Sequence, residues 1–333
     1  MCQVYGAGGV MYCGAVEFFC APSSVRHIPV LLNECMAFLE PEKGGDFADL
    51  TFGGGGHSRA LLSANPANTL LAMDCDPDAL LRSNEVSAEF SDRFRFEDQS
   101  FQKLDQVSSQ NEFDGVLMDL GISSFQLMEP LKGFSFRLDA PIDMRLNPRV
   151  GQSAADFLET ASRESLVRAV REYGEERRWN RVVNAIIDAR GTGVLARTIS
   201  AANLVATAIG GIRSRQRIHP ATKTFQGIRI AINGELEALS VTLPKAFRSL
   251  KPGGVLAVIS FHSLEDRIVK RFMRKMSGRP EHRGDSRLVG ERQVSAEMIQ
   301  AKAILPGKDE VSENSRSRSA RLRVLRKTKN LEF

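Results

Sequence analysis

The stretch between residues 46 and 120 constrains this chain most. Four short apolar runs, 46–51 (DFADLT), 69–74 (TLLAMD), 93–97 (RFRFE) and 113–120 (FDGVLMDL), alternate with helix-type segments. Strands alternating with helical crossovers predict a parallel sheet covered by helices, because parallel neighbours cannot be joined by a tight turn. The first run is closed by Gly53, Gly54, Gly55 and Gly56, after which 57–64 reads as a helix, and Pro77 marks a helix start after the second. Strand ends made of glycine or an acid predict a ligand crevice along the carboxyl edge of the sheet.

The residues at that edge narrow the ligand. A glycine cluster after a strand lets the backbone pass close to a nucleotide-like molecule, and Asp74, closing the next strand, can accept bonds from ribose hydroxyls. The dinucleotide fingerprint G-x-G-x-x-G is missed in either register, because Ser58 or Arg59 falls where the third small residue belongs. Adenosine without a pyrophosphate is the expectation, and an NAD-dependent dehydrogenase is disfavoured. The alternative is a tight turn with no ligand. Asp119 ends the fourth run and either positions an amine or cofactor group or only caps the next segment. His57 either meets a ligand carboxylate or bonds the first helical turn.

After residue 120 the rhythm breaks. Residues 121–150 hold three prolines and two glycines and read as a long ordered loop; 153–209 reads as helices without strands, an inserted subdomain. A helix is expected from Pro220, with Phe225, Ile228, Ile232, Leu236 and Leu239 at helical spacing. KPGG at 251–254 reads as a turn into a strand at 255–261, Ser263 with Asp266 as a capping box, and 320–325 as a last strand in a basic, Ser-rich tail. Charge follows this division: residues 1–150 carry 11 Lys+Arg against 21 Asp+Glu, and 151–333 carry 34 against 19. Base concentrated in one half suits a polyanionic partner or a set of solvated helix faces.

Cys2, Cys13, Cys20, Cys35 and Cys75 are odd in number and include no CxxC pair, which indicates neither a disulfide framework nor a zinc site and fits a reducing cytosol. No apolar run reaches the ~18 residues that crossing a bilayer requires. Residues 1–26 lack the basic start of a signal peptide and read as a disordered extension or an overlong start, with Met11 as another initiator.

Eight segments taken together are far more specific: HIPVLLNE (27–34), DLTFGGGGHS (49–58), MDCDPDAL (73–80), DGVLMDLGISSFQL (114–127), GFSFRLDAPIDMRLNP (133–148), YGEERRWNRV (173–182), HPATKTFQGIRIAINGELEAL (219–239) and LKPGGVLAVISFHSLEDRIVKRFM (250–273). In this order, and with the NSRSRSARLRV tail, the chain strongly resembles the RsmH (MraW) family over about 27–330. These are S-adenosylmethionine-dependent methyltransferases acting on cytosine N4 of small-subunit ribosomal RNA. The resemblance implies a class I (Rossmann-like) doubly wound α/β sheet formed by 27–125 and 216–333, with 126–215 inserted as a loop and helical substrate-recognition subdomain. It implies cofactor contacts from Gly55, Gly56, His57, Asp74, Phe101, Asp119 and Gln126, with Asp119 also catalytic, and no metal. Phe125 stands where a proline commonly precedes the glutamine, and Ala140 replaces a usual glycine; residues 1–26 have no counterpart.

The chemistry is consistent with such residues. Methyl transfer from a sulfonium needs mainly an in-line arrangement, since the leaving group is good. The cytosine amine is a poor nucleophile, so an acceptor such as Asp119 beside its protons would assist. A base taken from its stack needs a pocket, and Phe134, Phe136, Arg137, Asp143 and Arg145 in GFSFRLDAPIDMR suit that task or form an ordered lid. Trp179 and Tyr173 read as core of the insertion; His219, His262 and His282 read as structural. Arg267–Lys275 and the tail from Arg316 to Lys329 are expected to meet phosphates. The partner would be small-subunit rRNA or a ribosomal particle, with a homodimer left open. Other nucleic-acid substrates, or a non-catalytic RNA-binding assembly factor, are the rival readings.

Overall fold

A computed structural model describes residues 29–211 and 219–328. The expected extension 1–26, with Cys2, Cys13, Cys20 and Met11, and the expected boundary at 215/216 lie outside the described residues. Seven strands form one sheet in the order β3-β2-β1-β4-β5-β7-β6. The strands are β1 (Asp46–Asp49), β2 (Thr69–Asp74), β3 (Phe94–Asp98), β4 (Phe113–Asp119), β5 (Leu250–Ser260), β6 (Ala296–Met298) and β7 (Arg321–Lys327). The first five are parallel, and β7 runs antiparallel between β5 and β6.

β2, β4 and the second half of β5 are apolar almost throughout because both faces are covered. Along β4, Val116 and Met118 enter one core with Leu243, Phe247 and Val269, whereas Leu117 enters the other with Leu61, Val86 and Phe52. The helices Glu235–Ser249 and Ser263–Met276 close the first face; Leu32–Leu39, Gly56–Ala64 and Pro77–Phe90 close the second. KPGG is an irregularity inside β5 rather than a turn before it: pairing with β4 shifts between Phe113 and Gly115, and Gly253 takes φ +89°.

The insertion has its own core. Helices Ala154–Thr160, Arg163–Val167, Trp179–Asp188 and Thr198–Ile209 bury Phe157, Leu166, Val182, Ile186 and Val205. Phe225 and Ile228 of the helix Thr222–Asn233 enter the same cluster. That joint is backbone on backbone: a Cβ on Gly227 would meet the Ala169 carbonyl oxygen at 2.0 Å, and one on Gly174 the Lys223 carbonyl oxygen at 2.6 Å. Ala140 needs no glycine freedom; it lacks a positive φ and is clipped by paired bonds with Thr198, N to Oγ1 3.0 Å and Thr198 N to its carbonyl 2.9 Å.

Two expectations are corrected by the structure. The capping box lies one residue early, on His262 and Glu265, whose carboxylate accepts the Phe261 and His262 N–H groups at 2.9 and 3.2 Å. Asp266 is thereby left to hold Arg323 of β7, at 2.7 and 3.2 Å. The last strand forms as expected, as β7, but it buries cations of the tail that were expected to meet phosphates. Arg323 and Lys327 are only 8% and 2% exposed, and Lys327 Nζ donates to Asn111 Oδ1 at 2.9 Å and to the Leu250 carbonyl at 2.5 Å. Those two cations are not available to phosphates; Lys329 lies outside the described residues.

Candidate active site

The strand order reverses between β1 and β4, and ligands of doubly wound sheets bind at the carboxyl edge beside such a switch point. A cavity of about 120 Å³ opens there, between the ends of β1, β2 and β4. Gly53, Gly54 and Gly56 line it with His57, Asp74, Phe101, Asp119 and Gln126. The structure therefore brings the expected site residues together, with Gly55 the exception. Its Cα faces away, and a Cβ there would strike the Phe52 ring at 2.8 Å. With φ +53° at Gly53 and +74° at Gly55, the turn needs conformations that side chains resist.

Asp74 is held by its own loop: Oδ2 accepts the Gly53 N–H at 2.8 Å and Oδ1 the Asp76 N–H at 2.9 Å. Each oxygen retains a lone pair for a further donor, such as a sugar hydroxyl. Burial raises its pKa. His57 is 6% exposed; its Nε2 lies 3.1 Å from the Val30 carbonyl, leaving Nδ1 3.8 Å from Asp119 Oδ2. It thus braces the pocket wall against the segment before the first helix.

Gln126 caps its helix reciprocally with Ser123, its Oε1 accepting the Ser123 N–H at 2.9 Å, while Nε2 donates to Asp76 Oδ2 at 2.9 Å. Both ends of its amide are engaged by the protein. Phe125 does not disturb this. Its ring covers Gly54, where a Cβ would come within 2.5 Å, and the Arg82 guanidinium lies 4.7 Å from the ring centre.

Asp119 is the most unusual group. Its backbone N–H donates to Thr51 Oγ1 at 2.6 Å, yet among the described residues its buried Oδ1 has no hydrogen-bond partner. Burial first, then the nearby Asp49 and Glu265 carboxylates, push its pKa well above the usual range. Asp49 is pushed up to about 6, mainly by burial, although Ser58 Oγ donates to it at 2.7 Å and the Thr51 N–H at 3.1 Å. Cys75 beside them rises to about 12. Uncompensated buried carboxyls around a cavity favour a cationic ligand, whose charge would offset their desolvation. The residues fit S-adenosylmethionine: a carboxylate for the ribose, an aromatic ring for the base, and excess negative charge for a sulfonium.

Asp49, Thr51, Ser100 and Asn314, which were not singled out from sequence, also line or support this cavity, as does Arg316, expected only among the phosphate contacts of the tail. The first three stand within or beside the quoted strand ends; the last two arrive from the far end of the chain. Phe134 is buried and Phe136 packs on Phe225 and His219, at 5.0 and 4.6 Å between ring centres. Asp143 and Arg145 pair with each other, Oδ2 to NH2 2.7 Å. Trp179 packs on the insertion core, whereas half-buried Tyr173 instead donates to Glu237 at 3.0 Å. His219, His262 and His282 each accept a backbone N–H through Nδ1, from Ala221, Glu265 and Gly284. Glu235, His262 and Glu265 cluster within 4.8 Å, but Arg229 binds both oxygens of Glu235 at 2.9 Å, and backbone N–H groups hold Glu265.

A doubly wound sheet with β7 reversed, an acid at each of three strand ends and a glycine turn without the pyrophosphate fingerprint defines a class I methyltransferase. The sequence profile of the MraW methylase family matches residues 24–328, and the chain belongs to that family. Among similar proteins, the Ribosomal RNA small subunit methyltransferase H of Thermomicrobium roseum is 42% identical, over 91% of this chain and 94% of its own. Those of Nitrosomonas eutropha (44%; 90% and 97%) and Synechococcus elongatus (41%; 91% and 95%) are comparable. Solved structures are more distant: an rRNA methylase from Streptococcus thermophilus has a TM-score of 0.38 and 10% identity over 88% of this chain and 94% of that one.

Proposed function

We propose that the protein methylates the exocyclic N4 of a cytosine in small-subunit ribosomal RNA, in the cytoplasm, with residues 126–215 serving substrate recognition. Relatives that share two-fifths of its sequence over nearly their whole length bear the rRNA methyltransferase name. The observation that carries the reading is the buried, unpartnered Oδ1 of Asp119 in the pocket wall.

Asp74 would hold the ribose, Phe101 the adenine, and the Gly53–Gly54 backbone the methionine part of the cofactor. When bound, S-adenosylmethionine supplies an electrophilic methyl group on a positively charged sulfur. That charge favours the ionised form of Asp119, which burial otherwise suppresses. Ionised Asp119 can then accept a hydrogen bond from the target amine, restoring electron density to nitrogen and stabilising the positive charge that develops as its bond to carbon forms. Thr51 fixes the backbone of Asp119, and His57 sets its side-chain environment.

Mass spectrometry of nucleosides from unmethylated small-subunit rRNA, incubated with the protein and S-adenosylmethionine, tests this. N4-methylcytidine derivatives are expected; a methyl on another atom or none at all overturns the assignment. A non-catalytic assembly factor would bind the RNA and leave the nucleosides unchanged.

A further inference from the structure

A second cavity, of about 700 Å³, adjoins the first, and Ile122 and Arg316 line both. Its walls come from the loop 134–138, the helix Thr222–Asn233 and the tail at Ser315–Arg316. Much of the surface is apolar: Phe134 and Phe136 stand in the wall, and Met128 and Leu138 remain 53% and 60% exposed. Three guanidinium groups reach it. Arg229 is neutralised by Glu235. Arg137 and Arg316 are not: neither makes an ion pair with a described carboxylate. Arg316 is half-buried, and both its burial and the nearby Arg137 disfavour its charge. Neighbouring cations in the same loop and on the next helix are satisfied, Arg145 by Asp143 and Arg197 by Asp139.

Two like charges facing one cavity, one of them desolvated, raise the free energy of the empty protein until an anion arrives. Guanidinium forks match the oxygens of a phosphodiester. The apolar wall alongside is what a nucleobase requires and a free inorganic anion does not. We infer that Arg137 and Arg316 clamp a backbone phosphate of the substrate RNA at the target nucleotide, whose base occupies the apolar part of this cavity beside Asp119. This inference rests on the RNA methyltransferase reading and adds the group that positions the substrate. Both arginines are positioning residues, since neither is placed at the reacting atoms.

The test uses the whole protein, an unmethylated small-subunit rRNA transcript in filter binding, and calorimetry with S-adenosylmethionine. R137A and R316A are each expected to weaken RNA binding about tenfold and to lower the slope of log affinity against log salt by about one; R137K and R316K should keep most of the slope. For R137A, which lies outside the cofactor cavity, cofactor affinity should stay within about twofold of wild type. Unchanged RNA affinity and slope in both alanine variants would overturn the clamp. Loss of cofactor affinity in R316A with RNA binding intact would overturn it too, assigning Arg316 to the cofactor's carboxylate. Arg137 is at the surface, so its variant tests the clamp even where R316A is poorly folded. If wild type binds the transcript without methylating it, the functional reading fails while the salt slopes still decide the clamp.

Discussion

The two cavities that meet at Ile122 differ in kind. The one at the sheet edge is ringed by Asp49, Asp74 and Asp119, with backbone N–H groups as the main donors; the one under the insertion is ringed by phenylalanines and arginines. The first is short of positive charge and the second of negative charge, so each has the complement of a different reactant, a sulfonium on one side and a polyanion on the other. The same division runs along the chain, where acid dominates the first 150 residues and base the remainder. Because Arg316 is the one charged side chain that lines both cavities, substitutions elsewhere should separate cofactor effects from RNA effects.

The harshest way to break that separation is to remove what both share. Deleting 316–333 takes away β7, which pairs with β5 and β6, as well as Arg316 from both cavities. The expected result is an insoluble or unfolded chain with no measurable cofactor or RNA binding, read by circular dichroism and calorimetry; a folded product would show the strand to be dispensable. Sequence alone suggests this truncation as a clean probe of RNA contacts, and the buried strand shows that it is not.

Asp119→Asn acts at the junction. It should lower single-turnover methylation at saturating cofactor about a hundredfold, the usual scale for a positioned acid–base or electrostatic group. Its effect on cofactor affinity should be smaller, because burial already disfavours the ionised carboxyl in the empty site. A normal rate would remove Asp119 from the reaction. Asp74→Ala is expected to weaken S-adenosylmethionine by ~10- to 100-fold, the loss of charge-assisted hydrogen bonds, and to leave RNA affinity unaltered. Equal losses on both ligands would mean that the two cavities are not independent.

The smallest effect is a pH dependence. Asp49 titrates near 6 in the folded protein, against about 3.9 unfolded. Between about pH 4 and 6 the folded state thus binds more protons, so this group's stabilising contribution is full below about pH 4 and lost as pH rises through about 6. A cationic ligand favours the ionised form, so binding should release a fraction of a proton, and affinity should rise about threefold per pH unit across the same window. Calorimetry in two buffers of different ionisation heat measures that proton; identical heats would refute the coupling.

Much of the fold and of the site is legible in the amino-acid sequence. The ends of β1, β2 and β4 are marked by glycines and acids, and residues 153–209 are helical where no strand is expected. The features that stay hidden have charge in the wrong place for a sequence reader. The last strand is legible at 320–325, but Arg321, Arg323 and Lys327 make it look like a phosphate-binding surface, because the partners that allow two of them to be buried, Asp266 and the Leu250 carbonyl, lie far away along the chain. Asp49 escapes notice, and Arg316 is read only as one base of the tail, for the converse reason: nothing local signals that a carboxylate or a guanidinium will be left without a counter-charge.

The position of β7 also sets the order in which the molecule can be completed. β7 is the last of the seven strands in chain order, yet it lies inside the sheet, and the segment before it brings Arg316 to both cavities. Chains emerge from the amino terminus onwards, so β1 to β5 are made before the strand that seats against β5. A chain that has not yet made residues 316–327 therefore lacks both an interior strand of its sheet and the arginine that the two cavities share.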